Sequence, residues 1–152
     1  ATAHAKKLNT PIFQPYFPGA EISIDAWVNH DGVPFGLVLR SRDRVVRGES
    51  MISTTFRDPA LEAEARRSLA AFSLYGPVVM QAIMTKTSKL AIIEINARFG
   101  GASTTSLAVG LDSFFWSLNS SFAELQEPFA FYRLDHEVRQ IRLPADIFVE
   151  DP

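Results

Sequence analysis

An α+β fold, a mainly antiparallel sheet with helices packed on it, is what this sequence predicts, and three observations predict it. Several short runs alternate apolar and polar residues or are rich in β-branched ones, and tight turns separate them, as in an antiparallel meander. A segment of helical period, opened by Asp58-Pro59, interrupts those runs. No internal repeat, low-complexity segment or linker divides the 152 residues, so 1–152 reads as one domain.

Residues 1–10 show no periodicity and read as a flexible tail. Ile12–Phe17 is a short strand run interrupted by Pro15, which lacks the ladder N–H and makes this an edge strand or a connector. From Ala20 to Asn29 alternation puts Ile22, Ile24, Ala26 and Val28 on one face, and Glu21, Ser23, Asp25 and Trp27 on the other. His30-Asp31-Gly32 is a turn, Val33–Arg42 the return strand, and Met51–Phe56 a third β-rich run. Arg40, Arg42, Arg44 and Arg47 form a basic cluster around a turn expected at Asp43.

Asp58 as N-cap and Pro59 at the first helical position start a helix whose buried stripe is Leu61, Ala65, Leu69 and Phe72, and Gly76-Pro77 stops it. After Gly100-Gly101 a short helical pattern ends at Gly110. Asp112 caps another helix with Phe114, Phe115, Leu118, Phe122 and Leu125 as its apolar stripe. Strands are expected at Phe129–Tyr132, Glu137–Leu143 and Ile147–Val149.

Hydrophobic content of 47% and charged content of 21% are ordinary globular values. A net charge of −2 and a pI near 5.9 argue against nucleic-acid backbone as the main partner. The chain has no cysteine, which excludes disulfides and thiolate metal sites and fits a reducing, cytoplasmic setting. No apolar run approaches the roughly 18 residues of a membrane span, so no membrane partner is expected. The polar start, at Ala1 rather than Met, holds no signal-peptide core and fits a fragment.

Gln81–Gly101 carries the densest chemistry. Two apolar runs flank the polar turn Thr85–Lys89, and polar residues interrupt them at Gln81, Glu94 and Asn96. A hairpin centred on Thr87-Ser88 pairs Gln81 with Glu94, and Glu94 and Asn96 share a face by the strand period. An amide, a carboxylate and a second amide would then converge beside Arg98. Such an all-oxygen set suits a hard cation that holds phosphate oxygens. The surrounding positions are apolar on both faces, so Glu94 would be buried and need a compensating cation. A buried Glu94–Arg98 structural pair is the competing explanation.

These residues resemble the carboxyl-terminal lobe of ATP-grasp ligases, especially the carbamoyl-phosphate-synthase-like branch. The pattern is a Gln in one strand, here Gln81, a turn, and then Glu-x-Asn-x-Arg with small residues after it, here Glu94-Ile95-Asn96-Ala97-Arg98-Phe99-Gly100-Gly101. Gln14-Pro15-Tyr16-Phe17-Pro18-Gly19-Ala20-Glu21 is similar to the family's hinge strand. Arg47-Gly48-Glu49-Ser50 and Leu74-Tyr75-Gly76-Pro77 follow in family order, so the likeness runs from about residue 12 to about residue 118.

The resemblance implies ATP and Mg²⁺ as cofactors, with Mn²⁺ as a substitute. Glu94 would bridge two Mg²⁺ ions, with Gln81 on one and Asn96 on the other. Arg98 would contact the terminal phosphates as the catalytic residue. Tyr16 would present backbone atoms to adenine with Gln14 beside it, Glu21 would accept from the ribose hydroxyls, and Arg47 would lie near the nucleotide. Gln14 stands where the family usually has Glu, and Gln81 where most of its enzymes have an acid. The family's amino-terminal lobe, with its phosphate-gripping lysine and glycine-rich loop, would precede residue 1. Arg40, Arg42 and Arg47 have two readings: they hold an anionic substrate or acyl phosphate near the γ-phosphate, or they are the solvated charges that protect an edge hairpin.

The function implied is the Mg–ATP lobe of a ligase that phosphorylates a small carboxylate and lets an amine or ammonia displace phosphate. The alternative is one half of a split protein, inactive alone, or a binding module whose partner chain supplies the other lobe. A homo-oligomer seated on the apolar C-terminal strands is a further expectation.

Overall fold

The computed structural model describes residues 5–86, 89–122 and 131–143. Six strands form one sheet: β1 (Ala20–Val28), β2 (Pro34–Val46), β3 (Glu49–Phe56), β4 (Gly76–Met84), β5 (Leu90–Asn96) and β6 (Arg139–Ile141). Their order across the sheet is β5-β4-β1-β2-β3-β6, and every neighbouring pair is antiparallel. Among the described residues three helices accompany them, α1 (Pro59–Ala70), α2 (Thr104–Leu107) and α3 (Ser113–Ser121). This is the α+β architecture expected from the sequence.

Both faces of the sheet are covered, and the two sides differ in character. On one, Ile22, Ile24, Ala26, Leu37, Leu39, Val78 and Met80 pack with Leu61, Ala65 and Leu69 of α1. On the other, Trp27 and Val38 pack with Val109, Leu111 and Trp116. That second side also holds buried polar residues, Ser23, Asp25 and Arg40 among them. Asp58 caps α1 as expected, accepting from the backbone N–H of Ala60 at 3.0 Å and of Leu61 at 3.1 Å.

Several boundaries differ from the sequence reading. Ile12–Phe17 forms no strand and runs exposed, because Pro11, Pro15 and Pro18 leave too few N–H groups for a ladder. Gly19 then passes so close to β4 that a Cβ there would lie 2.2 Å from the Met84 carbonyl oxygen. The basic turn falls at Arg47-Gly48, both left-handed with φ of 53° and 82°, while Asp43 lies inside β2. Helix α1 stops at Ala70, leaving Phe72 half exposed, and Gly76-Pro77 opens β4 rather than ending the helix.

Helix α3 buries Ser113, Trp116 and Asn119 instead of its phenylalanines. Trp116 sets that orientation, edge-on to Trp27, Phe35 and Phe131 with centroids 5.3–6.2 Å away. Phe114, Phe115, Leu118 and Phe122 consequently face outward, and Leu125 lies outside the described residues. Among the described residues of the expected C-terminal strands, Arg139–Ile141 forms strand. Phe131-Tyr132 is not strand, and residues 129–130 and 147–149 lie outside the described residues. No helix among the described residues is long and apolar enough to cross a membrane.

Candidate functional site

Sheet register builds the site. Directly paired residues share a face, so the pairs Glu94↔Gln81, Gln81↔Ser23, Ser23↔Arg40 and Arg40↔Thr55 lay one polar row across β5, β4, β1, β2 and β3. The next row on that face is Asn96–Val79–Asp25–Val38. Gln81 and Glu94 are thus partners as expected, but by another route. The ladder near the turn pairs Met84 with Leu90 and Ala82 with Ile92, and a bulge at Ile93 then brings Glu94 opposite Gln81. The bulge also turns Leu90 toward the α1 core with Met84.

A cleft of about 210 Å³ opens over these rows. Its lining includes Ser23, Arg40, Arg42, Gln81, Asn96 and Arg98, with Gly48–Ser50, Gly100–Ala102 and Arg142 closing the sides. Gln81, Asn96 and Arg98 therefore come together with the basic hairpin, as do Arg40 and Arg42. Glu94 lies beside the cleft on the edge strand, where it is exposed and accepts from Asn96 Nδ2 at 2.9 Å. The expectation of a buried Glu94 is corrected: β5 is the sheet edge, so no strand covers it. Arg98 makes no ion pair with Glu94; its Nη1 donates to the Phe99 carbonyl at 3.0 Å.

The other predicted residues lie apart from this cleft. Gln14 and Tyr16 border a second, more apolar recess with Phe17, Ile83, Ala91, Ile92 and Ile93, and Tyr16 is 89% exposed. Glu21, opposite Ile83 at the start of β1, lies between the two recesses and meets Arg42 Nε at 3.2 Å. Arg47 sits at the tip of the β2–β3 turn, outside the cleft lining.

Four guanidinium groups reach the cleft, and three have a carboxylate beside them. Arg40 meets Asp25 at 2.6 Å, Arg42 meets Glu21, and Arg142 meets Glu49 at 3.0 Å. Arg98 has no such partner among the described residues, so it is the least compensated cation at the cleft. Arg42 Nε is buried without a hydrogen bond, because Glu21 lies off its N–H axis. Sequence reasoning missed Arg142, Ser50 and Asp25. The signal for Asp25 was present, since it sits mid-strand on the face it shares with Trp27.

The donor set fits a hard divalent cation. Gln81, Glu94 and Asn96 offer only oxygen ligands with a single carboxylate, which suits Mg²⁺ when phosphates and water fill its remaining positions. No cluster of three or more His, Cys, Asp or Glu residues occurs among the described residues.

A family model described as ATP-grasp in the biosynthetic pathway with Ter operon matches residues 7–142. The chain belongs to the ATP-grasp family. Solved structures agree on the fold. A biotin carboxylase–ATP complex from Campylobacter jejuni superposes with a TM-score of 0.60 at 14% identity, over 82% of this chain and 30% of that one. The biotin carboxylase domain of Hydrogenobacter thermophilus 2-oxoglutarate carboxylase, bound to MgADP, ADP and bicarbonate, gives 0.58 at 16% identity over 79% and 28%. Urea carboxylase of Kluyveromyces lactis gives 0.54 at 18% identity over 66% and 10%. This ATP-grasp chain thus spans less than a third of the length of each of these relatives. No curated protein matches the sequence.

Proposed function

We propose that this chain is the metal- and phosphate-holding lobe of an ATP-dependent ligase that activates a small carboxylate as an acyl phosphate, for attack by an amine or ammonia. The polar row Glu94–Gln81–Ser23–Arg40, ending in a cleft beside Asn96 and Arg98, is the observation that carries the reading. Glu94 with the two amides would hold Mg²⁺, which when bound shields the charge on the phosphate oxygens. Arg98, with no carboxylate beside it among the described residues, would hold the terminal phosphoryl group and stabilise charge during transfer. Gln14 and Tyr16 border the apolar recess suited to a planar base, and Glu21, between base and phosphates, would accept from the ribose. The MgADP and bicarbonate in the Hydrogenobacter relative support this assignment. The carbamoyl-phosphate-synthase-like choice of acceptor rests on the amide at Gln81.

Alanine at Glu94 or Asn96 is expected to abolish ATP turnover in the complete enzyme with the circular dichroism spectrum unchanged. Full turnover in both variants would sink the assignment. A second reading is favoured by the open hinge segment: with Tyr16 so exposed, this chain supplies one wall of the base recess and another lobe, in cis or in a partner chain, supplies the other. Calorimetry of the lone chain with Mg–ATP is expected to show weak binding, and tight binding would contradict the half-site reading.

A further inference from the structure

The most thoroughly buried charges in the described structure lie under the cleft. The side chains of Asp25 and Arg40 are 4% and 3% exposed. Stability alone gives no reason for such a pair, since apolar residues of similar volume often serve a core as well or better. Its wiring points elsewhere. Arg40 Nε donates to Asp25 Oδ2 at 2.6 Å, and Nη2 donates to Oδ1 at 3.3 Å. Ser103 Oγ donates to Oδ1 at 2.9 Å, and Ser106 Oγ donates to Oδ2. Ser103 Oγ in turn accepts from the Gly100 N–H at 2.9 Å. One carboxylate therefore ties β2 to the turn that follows Arg98 and to α2, the two sides of the cleft.

Arg40 is left with donors to spare. A guanidinium has five N–H groups, and two go to Asp25 and one to Ser53 Oγ at 3.4 Å. The other two have no partner among the described residues, and Arg40 forms part of the cleft lining. Ser50 Oγ lies 2.8 Å from Ser53 Oγ and also lines the cleft. Gly100 lies beside the guanidinium, where a Cβ would come into van der Waals contact with Arg40 Nη2 at 3.7 Å.

We propose that Asp25 is a positioning residue and Arg40 an oxyanion-binding residue: Asp25 fixes Arg40 on the cleft floor so that its two remaining N–H groups receive a phosphate or carboxylate oxygen. This deepens the ligase reading and rests on it, but it concerns neither the proposed metal ligands nor Arg98. Because Asp25 already neutralises Arg40, the floor acts by directed hydrogen bonds while Arg98 supplies the uncompensated charge.

The test uses the purified chain, titrated by calorimetry with inorganic phosphate and separately with acetate. The double variant Asp25→Leu/Arg40→Met removes the pair without orphaning either charge. It is expected to keep its circular dichroism spectrum and to bind the anion about tenfold or more weakly than wild type. Loss confined to phosphate places the transferred phosphoryl on Arg40, and loss confined to acetate places the acceptor carboxylate there. Unchanged binding of both anions by the folded double variant overturns the proposal and leaves the ligase reading standing. Wild-type chain that binds neither anion also overturns the proposal.

Should the double variant not fold, Asp25→Asn gives a second readout. With the carboxylate gone, an anion in the cleft becomes the counter-charge of Arg40. Phosphate should then raise the Tm of Asp25→Asn more than that of wild type, and equal rises overturn the proposal.

Discussion

Asp43 shows how one side chain braces the hairpin that forms the basic wall of the cleft. Its carboxylate accepts from Ser41 Oγ at 2.6 Å and from Thr54 Oγ1 on the neighbouring strand. Partial burial pushes its pKa up, but those two hydrogen bonds and the nearby Arg139 outweigh it and hold the carboxyl below its ordinary value. A depressed folded pKa adds stability that is fully present above the unfolded value of about 3.9 and is lost as pH falls through the folded one. Urea unfolding of wild type and Asp43→Asn should therefore differ more at neutral pH than near pH 3 (roughly a unit below that unfolded value). A gap independent of pH would contradict this. Glu94 carries the opposite lesson about single residues. Composition cannot tell an edge strand from a central one, and a carboxylate among apolar neighbours looks buried until the strand order is known.

At the scale of elements, what could be read from the sequence was what local chemistry decides. Asp58-Pro59 satisfies the free N–H groups at the start of α1 from within three residues, so the cap was visible in sequence. Asp58→Ala should cost about 0.5–2 kcal/mol of stability by chemical denaturation, and a loss near zero would mean the cap is replaced by solvent. Alternation and a polar turn made the Gln81–Glu94 pair legible, though in a register one residue away from the ladder that forms beside the turn. The bulge at Ile93 was not, since no residue type marks it. Helix α3 was misread because its phenylalanines outnumber its one tryptophan, whereas burial followed the side chain with aromatic partners on the sheet. The Asp25 network was out of reach for the same reason: Ser103 and Ser106 come from a turn and a helix whose docking is tertiary.

At the scale of the whole molecule, the described residues form two cores, one on each face of the sheet, and one of the two lies under the cleft. Leu69 belongs to the α1 side and Trp116 to the side of the polar rows. Leu69→Ala should destabilise by about 2–5 kcal/mol and Trp116→Ala by about 3–5 kcal/mol, so the two costs overlap. Their effects on the site should not. Removing the indole loosens α3 and Leu111 where they pack beside α2, and α2 carries Ser106 to the Asp25 carboxylate. The α1 core reaches that carboxylate only through the stiff centre of the sheet. Below the midpoint of unfolding, Trp116→Ala should therefore bind phosphate about tenfold more weakly, as loss of one charge-assisted hydrogen bond would do. Leu69→Ala should bind as wild type does. Calorimetry on the two folded variants decides it: equal affinities would mean that the network holds its geometry whichever face is loosened, and that Asp25 alone, without the packing above it, fixes the cleft floor.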